Sequence, residues 1–262
     1  MTLRIGMRGP DVAAWQVALG MDPDAVFGTL TEKATMRWQA ARGLVPDGVV
    51  GPATMAAAAT LPIPRPVTIV GEPGGRWPLV QAVQYRWRPA GERHVRLGVV
   101  HTMESAEKPD TAEAVAAWFG GLRGTPPMAS AHVCVDSDSA VRCVLASHDA
   151  AAAPGSNGDG YHVELAGRAG QGTDGWSDDY SIRLLALAAD LMGEACAIFD
   201  LPVRRLSVEE VRRGVLKGLC GHIDVSLAFR KSTHTDPGVA FPWEQFLHDV
   251  SAAADRWRVY PS

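Results

Sequence analysis

Residues 60–75 read TLPIPRPVTIVGEPGG, a stretch with four prolines. Proline fixes its own φ, lacks a backbone donor and biases the preceding residue toward extended backbone, so neither a helix nor an interior strand can run through it. A semi-extended linker is expected there. The chain must then fold as two units, residues 1–59 and residues 76–262. The 47% hydrophobic content of the 262 residues supplies a sizeable core for the longer unit and a small one for the shorter.

No run approaches the roughly 18 apolar residues that span a bilayer, so membrane insertion is not expected. The N-terminal MTLRIGMRGPDV places charges and two glycines where a secretory leader needs continuous apolar residues. Synthesis in the cytoplasm without a signal peptide is the expectation. A formal charge of −4, with Lys and Arg scattered, lacks the concentrated basic face that phosphate binding requires and argues against a nucleic-acid partner. Cys134, Cys143, Cys196 and Cys220 form no CxxC pair, which excludes a zinc ribbon and a dense disulfide framework. Cys134 and Cys143 flank the turn DSDS, where a disulfide and two buried thiols both stay open.

In the shorter unit Asp11 can cap a helix over DVAAWQVAL, with Val12, Trp15 and Leu19 at helical spacing. Thr29 or Thr31 can cap a second helix that Gly43 stops. A phrase recurs, Ala25 to Thr31 and Asp47 to Thr54, each a glycine turn followed by a threonine at a helix start. Together with Gly6, Gly9, Gln16, Phe27, Gly28, Gln39, Leu44 and Gly51, these residues resemble the three-helix peptidoglycan-binding domain of type 1. Trp15, Trp38 and Leu44 are expected to fill its small core. The resemblance implies that glycan or stem peptide lies in a shallow groove beside the glycine turns.

The longer unit opens on WPLVQAVQYRWRP, residues 77–89, which is apolar enough to pack but declares neither helix nor strand. The unit is expected to begin somewhere between Trp77 and His94. Residues 95–101, VRLGVVH, form a β-type run ending on His101, and strands of α/β sheets deliver functional groups at their C-terminal ends. Asp110 or Thr111 can cap the helix of DTAEAVAAWFGG, and residues 129–146 alternate across a polar turn as a hairpin does. GYHVELAG is a further strand, carrying Glu164. Leu184, Leu187, Leu191 and Ile198 mark the buried stripe of a long helix from about Asp179 to Phe199. The order predicts a mixed α/β domain with a single sheet flanked by helices.

Residues 221–243, GHIDVSLAFRKSTHTDPGVAFPW, gather His222, Asp224, His234 and Asp236 in one turn-rich span. Zinc takes imidazole with thiolate or carboxylate in a four-coordinate shell, and a catalytic site uses three protein ligands and leaves one position open. A ligand from elsewhere is required, and His101 is the leading candidate.

VVHTMES, the SAH before the hairpin, VELAG, GHIDVS and THTDPGVAFPW, in that order, resemble the zinc N-acetylmuramoyl-L-alanine amidases of the type 2 family, whose fold is shared with peptidoglycan recognition proteins and phage T7 lysozyme. Endolysins of actinobacterial phages are the nearest in character. The resemblance spans about residues 93–250. It implies that His101, His222 and Asp236 hold Zn2+, and that Glu164 is the general base. His234, where many relatives carry lysine, would stabilise the oxyanion, with Thr235 or Lys231 less directly placed to do so. Asp224 becomes a helix cap or a partner of a ligand, and His132 a packed or pocket-lining residue. Glu104, His148 and His162 read as ordinary polar positions, and Asn157 and Trp176 as cleft contacts. Two departures, Ala151-Ala152 for a Trp-His pair and Ala131 for a tyrosine, bear on substrate contacts and rate.

The implied activity is peptidoglycan hydrolysis at the amide between N-acetylmuramic acid and L-alanine, by a monomer that acts on the wall after release. A non-catalytic peptidoglycan-binding protein on the same fold, and a zinc peptidase of the stem peptide, are the alternatives.

Overall fold

The computed structural model describes residues 2–19, 21, 25–40, 42–59, 72–89 and 92–259. The chain divides into two compact units, Met1–Val67 and Thr68–Ser262. Residues 60–71 of the expected linker lie outside the described residues.

The small unit holds α1 (Pro10–Ala18), α2 (Thr29–Ala40) and α3 (Pro52–Ala59). Asp11 lies inside the first turn of α1, and Thr31 is buried within α2. Leu3, Val12, Trp15, Phe27, Trp38 and Val50 form the core, with the two indoles edge to face at 5.1 Å. Two buried glutamines organise the turns. Gln16 Oε1 accepts from Ala25 N (2.9 Å), and its Nε2 donates to Val26 O (3.1 Å) and Thr31 Oγ1 (2.9 Å). Gln39 Oε1 accepts from Gly48 N (3.0 Å), and its Nε2 donates to Val49 O (2.9 Å) and Thr54 Oγ1 (3.1 Å). Each member of the second set follows its counterpart by 23 residues, so the phrase that recurs in the sequence is a recurring hydrogen-bond device. A glutamine suits it because one amide satisfies backbone groups of both signs that the turn would otherwise bury unpaired.

The large unit runs β1 (Tyr85–Arg86), β2 (Leu97–Thr102), α4 (Thr111–Phe119), β3 (Val133–Val135), β4 (Ala140–Arg142), β5 (Asp149–Ala150), β6 (Gly160–Leu165), α5 (Thr173–Trp176), α6 (Asp179–Ile198), α7 (Val208–Arg213), β7 (Gly218–Gly221), α8 (His222–Phe229) and α9 (Trp243–Val259). Its main sheet has the order β4-β3-β6-β2-β7, parallel apart from the β3–β4 hairpin. This is the mixed sheet expected. A separate two-stranded pair, β1 with β5, was not foreseen. β2 is buried along its whole length, as a central strand with both faces covered must be. One face packs Val100, Tyr161, Val163 and Leu219 against α6 and α9. The other packs Cys134 and Val141 under α4, and Leu97, Val99 and Cys220 under α7 and α8. α6 begins where Asp178 Oδ1 accepts from Ser181 N at 2.8 Å. Cys134 and Cys143 are free thiols with Sγ atoms 3.7 Å apart.

The expected start of this unit needs moving. Glu72 to Gly75 pack into it: Glu72 Oε1 accepts from Ala146 N (2.7 Å), and Gly74 N donates to Glu194 Oε2 (3.0 Å). Proline and glycine made these residues look like linker, but their backbone is fixed by groups far along the chain. From Val80 to Ala82 the chain runs beside the hairpin, its amides donating to Arg142 O and Cys143 O.

Burial pushes the Glu72 carboxyl up to about 7, against the Ala146 amide and the charges of Arg142 and Arg93. Because the folded value lies above the unfolded one, this contribution is fully present below about pH 4.5 and is lost as pH rises through 7. The difference is roughly 3 kcal/mol. Glu72→Gln keeps an acceptor for Ala146 N, so the variant should melt higher than the parent at pH 8 and alike at pH 4.5. Equal melting temperatures at pH 8 would show that Glu72 ionises in the fold without cost.

Candidate metal centre

β2 and β6 lie side by side in parallel, with His101 in register with Glu164. Both side chains therefore leave the same face of the sheet, the one covered by α4 and α8. β7 pairs with the other side of β2, Val100 facing Gly221, and His222 is the next residue, the first of α8. Asp236 arrives on the loop after α8 and is anchored where Ile223 N donates to Asp236 O (2.9 Å). Gly221 permits this approach, since a Cβ there would lie 2.6 Å from Pro237 Cδ. Asp224 Oδ2 accepts from Gly221 N (2.9 Å) and takes Arg205 Nη2 at 3.2 Å, so Asp224 secures the β7–α8 junction from outside the centre.

The structure brings His101, His222 and Asp236 together, all buried. His101 Nδ1 lies 3.1 Å from His222 Nδ1 and 3.3 Å from Asp236 Oδ2, and His222 Nδ1 lies 3.3 Å from Asp236 Oδ1. A divalent ion bound at about 2.0–2.1 Å in tetrahedral geometry needs donor atoms roughly 3.3 Å apart. The triangle matches that edge, and its donors are two imidazoles and a carboxylate, so these residues fit a metal ion. Burial tends to raise the Asp236 carboxyl, but the neighbouring His101 and His222 rings outweigh it and hold it well below the usual carboxylate range. His101 is pushed down by burial against the pull of Asp236. A carboxylate beside a neutral imidazole is the protonation state that a cation requires.

Glu164 Oε1 is 4.0 Å from His101 Nδ1, and Oε2 is buried without a hydrogen-bond partner among the described residues. Burial, and then the negative charge of Asp236, push the Glu164 carboxyl well above its ordinary value. A buried carboxyl oxygen with no partner beside an array of donors is poised for a water or substrate atom. His234 stands at the surface with its side chain 61% exposed, its ring stacked on His222 at 4.3 Å and its Nδ1 3.4 Å from Asp236 Oδ1. It lines two cavities. One, of about 220 Å3, is shared with Glu104, Thr233, Thr235 and Asp236; the other, of about 630 Å3, has Ile223, Leu227, Arg212 and Arg230 on its walls.

Other expectations are relocated. Trp176 is buried, its ring 5.0 Å from Phe241 in the main core, and does not face the cleft. Asn157 Oδ1 accepts from Ala152 N (3.1 Å) and Ala153 N (2.8 Å), shaping its own loop. Lys231 is exposed, and His132 is packed. Glu104 and His162 read as ordinary in the sequence, yet Glu104 walls the smaller cavity and His162 Nδ1 lies 3.0 Å from His101 Nε2. The alternation of β6, which places residues 162 and 164 on one face, was the available signal.

Residues 11–58 match the family described as a putative peptidoglycan binding domain. The chain matches none of the curated proteins. Among solved structures it is similar to the hydrolase AmiA of Staphylococcus aureus in complex with its ligand, at 15% identity and a TM-score of 0.52, over 71% of this chain and 87% of that one. The N-acetylmuramoyl-L-alanine amidase LysC of Clostridium intestinale URNW gives 14% identity and a TM-score of 0.43, over 66% and 95%. An endolysin of Burkholderia phage AP3 gives 41% identity and a TM-score of 0.23, over 25% and 27%. The likeness to AmiA shows a shared fold, in line with the mixed α/β sheet expected from the sequence.

Proposed function

We propose that the chain is a peptidoglycan hydrolase that cleaves the amide between N-acetylmuramic acid and L-alanine, with zinc held by His101, His222 and Asp236. The observation that carries this reading is the buried donor triangle with Glu164 set across the parallel ladder from His101. When bound, zinc supplies a Lewis acid that lowers the pKa of water toward about 7 and polarises a carbonyl, and its charge draws Glu164 toward the carboxylate. Glu164 then takes the proton of the attacking water and returns it to the departing amine. His234, exposed at the rim and stacked on His222, would donate to the developing oxyanion. Glycan and stem peptide would lie in the cavities on either side of His234.

The match of residues 11–58 supports the small unit as the part that holds the enzyme on the wall. Among the described residues no helix is long and apolar enough to cross a membrane. Glu164, set across the ladder from His101, supports turnover over mere recognition, since a pure binder has no use for it.

The test is digestion of purified cell wall by the zinc-loaded protein, with and without a chelator, followed by mass analysis. New N-terminal alanine with intact lactyl-muramic glycan is the expected product. Cuts only between amino acids would assign a peptidase instead, and an untouched wall that retains the protein would assign a binder.

A further inference from the structure

The Nε2 side of His101 is closed by a run of buried hydrogen bonds, and its direction can be read from the far end. The Ser156 carbonyl can only accept, so His162 Nε2, 3.3 Å away, carries the proton. Among the described residues the His162 ring meets the Ser156 carbonyl and the His101 and His132 rings and no carboxylate, so nothing holds a second proton on it. A neutral imidazole has one N–H, so His162 Nδ1 is a lone pair. The 3.0 Å contact between His162 Nδ1 and His101 Nε2 therefore has His101 as donor. With its proton on Nε2, His101 presents the Nδ1 lone pair to His222 and Asp236.

His162 is itself held. Its backbone N donates to His132 Nδ1 (3.0 Å), and His132 Nε2 donates to the His148 carbonyl (3.1 Å). The His132 and His162 rings stack at 5.6 Å with planes 9° apart. Gly160 leaves room for the contact with Ser156, since a Cβ there would lie 2.6 Å from His162 Nε2 and 2.7 Å from Ser156 O. His101, His162 and Ser156 are all buried, so water does not compete for these bonds.

We propose that His162 is a positioning residue for the metal centre: oriented by the Ser156 carbonyl, it holds His101 in the Nε2–H tautomer and turns the Nδ1 lone pair onto the ligand triangle. The proposal rests on reading that triangle as a metal centre. Histidine ligands depend on the partner of their second ring nitrogen, and loss of such a partner weakens metal binding by roughly 10–100-fold. Here the partner is another imidazole, which accepts only because its own proton is committed to a carbonyl.

The experiment combines nitrogen NMR of the histidine rings in the metal-free protein with zinc affinity by chelator competition, for the parent, His162→Leu and His162→Asn. The parent should show His101 protonated at Nε2. His162→Leu should bind zinc roughly 10–100-fold more weakly, and His162→Asn, whose amide oxygen stands near the place of Nδ1, should recover most of the loss. A merely structural histidine would not give rescue by an acceptor. Should His162→Leu fail to fold, Gly160→Ala crowds the same contact from outside and should weaken zinc binding in the same direction. Protonation of His101 at Nδ1 in the metal-free parent, or equal zinc affinity in parent and folded His162→Leu, overturns the proposal. A parent that binds no zinc yet shows His101 protonated at Nε2 would remove the metal reading and leave the tautomer assignment standing.

Discussion

Glu164→Gln is expected to slow wall hydrolysis by about 10²–10⁴-fold, the usual worth of a positioned general base, while zinc content stays at the parental level. The substitution is close to isosteric, and burial already favours a neutral group at this position, so the fold should tolerate it. Zinc content and melting temperature are therefore the controls that separate lost chemistry from lost structure. Parental turnover in this variant would remove Glu164 from the mechanism and move attention to Glu104, the carboxylate on the wall of the smaller cavity.

Asp236→Ala should have the larger effect on the metal. It takes away one corner of the triangle and leaves His101 Nδ1 and His222 Nδ1 facing each other at 3.1 Å without the carboxylate that each now approaches at 3.3 Å. Zinc affinity should fall by more than the roughly 10–100-fold that loss of a ligand's partner costs, and activity should fall with it. Asp236→Cys supplies a thiolate, an equally acceptable zinc ligand, and should retain the metal. Chelator competition on the two variants decides the matter. Equal zinc affinity in Asp236→Ala and the parent would place the ion elsewhere.

Much of the candidate site was legible because its residues sit in short spans with strong local signatures. His101 ends an apolar run, and His222 and Asp236 lie 14 residues apart in a span rich in turn formers. The long helix was legible from its stripe, and α6 ends one residue before the expected Phe199. What escaped depends on partners remote in sequence. Glu72 to Gly75 carry the composition of a linker, and only Ala146 and Glu194 make them part of a core. Trp176 lies in a polar, glycine-rich stretch of sequence, and only Phe241, 65 residues on, shows its ring to be interior. His162 is a lone polar residue on an apolar strand, and its meaning appears only when β6 pairs with β2. Local pattern reports which face a side chain takes, whereas pairing decides whom it meets.

The parallel ladder between β2 and β6 also governs the timescale on which the centre can rearrange. His101 and Glu164 are rungs of the same interior pairing, so their separation can change only if central backbone hydrogen bonds open, an event belonging to the slowest hydrogen-exchange class of a domain. Asp236 and His234 ride on a loop outside that ladder. Exchange at residues 99–102 should thus hardly alter on zinc addition, whereas exchange at residues 233–238, held by loop contacts such as that of Ile223 N with Asp236 O, should slow.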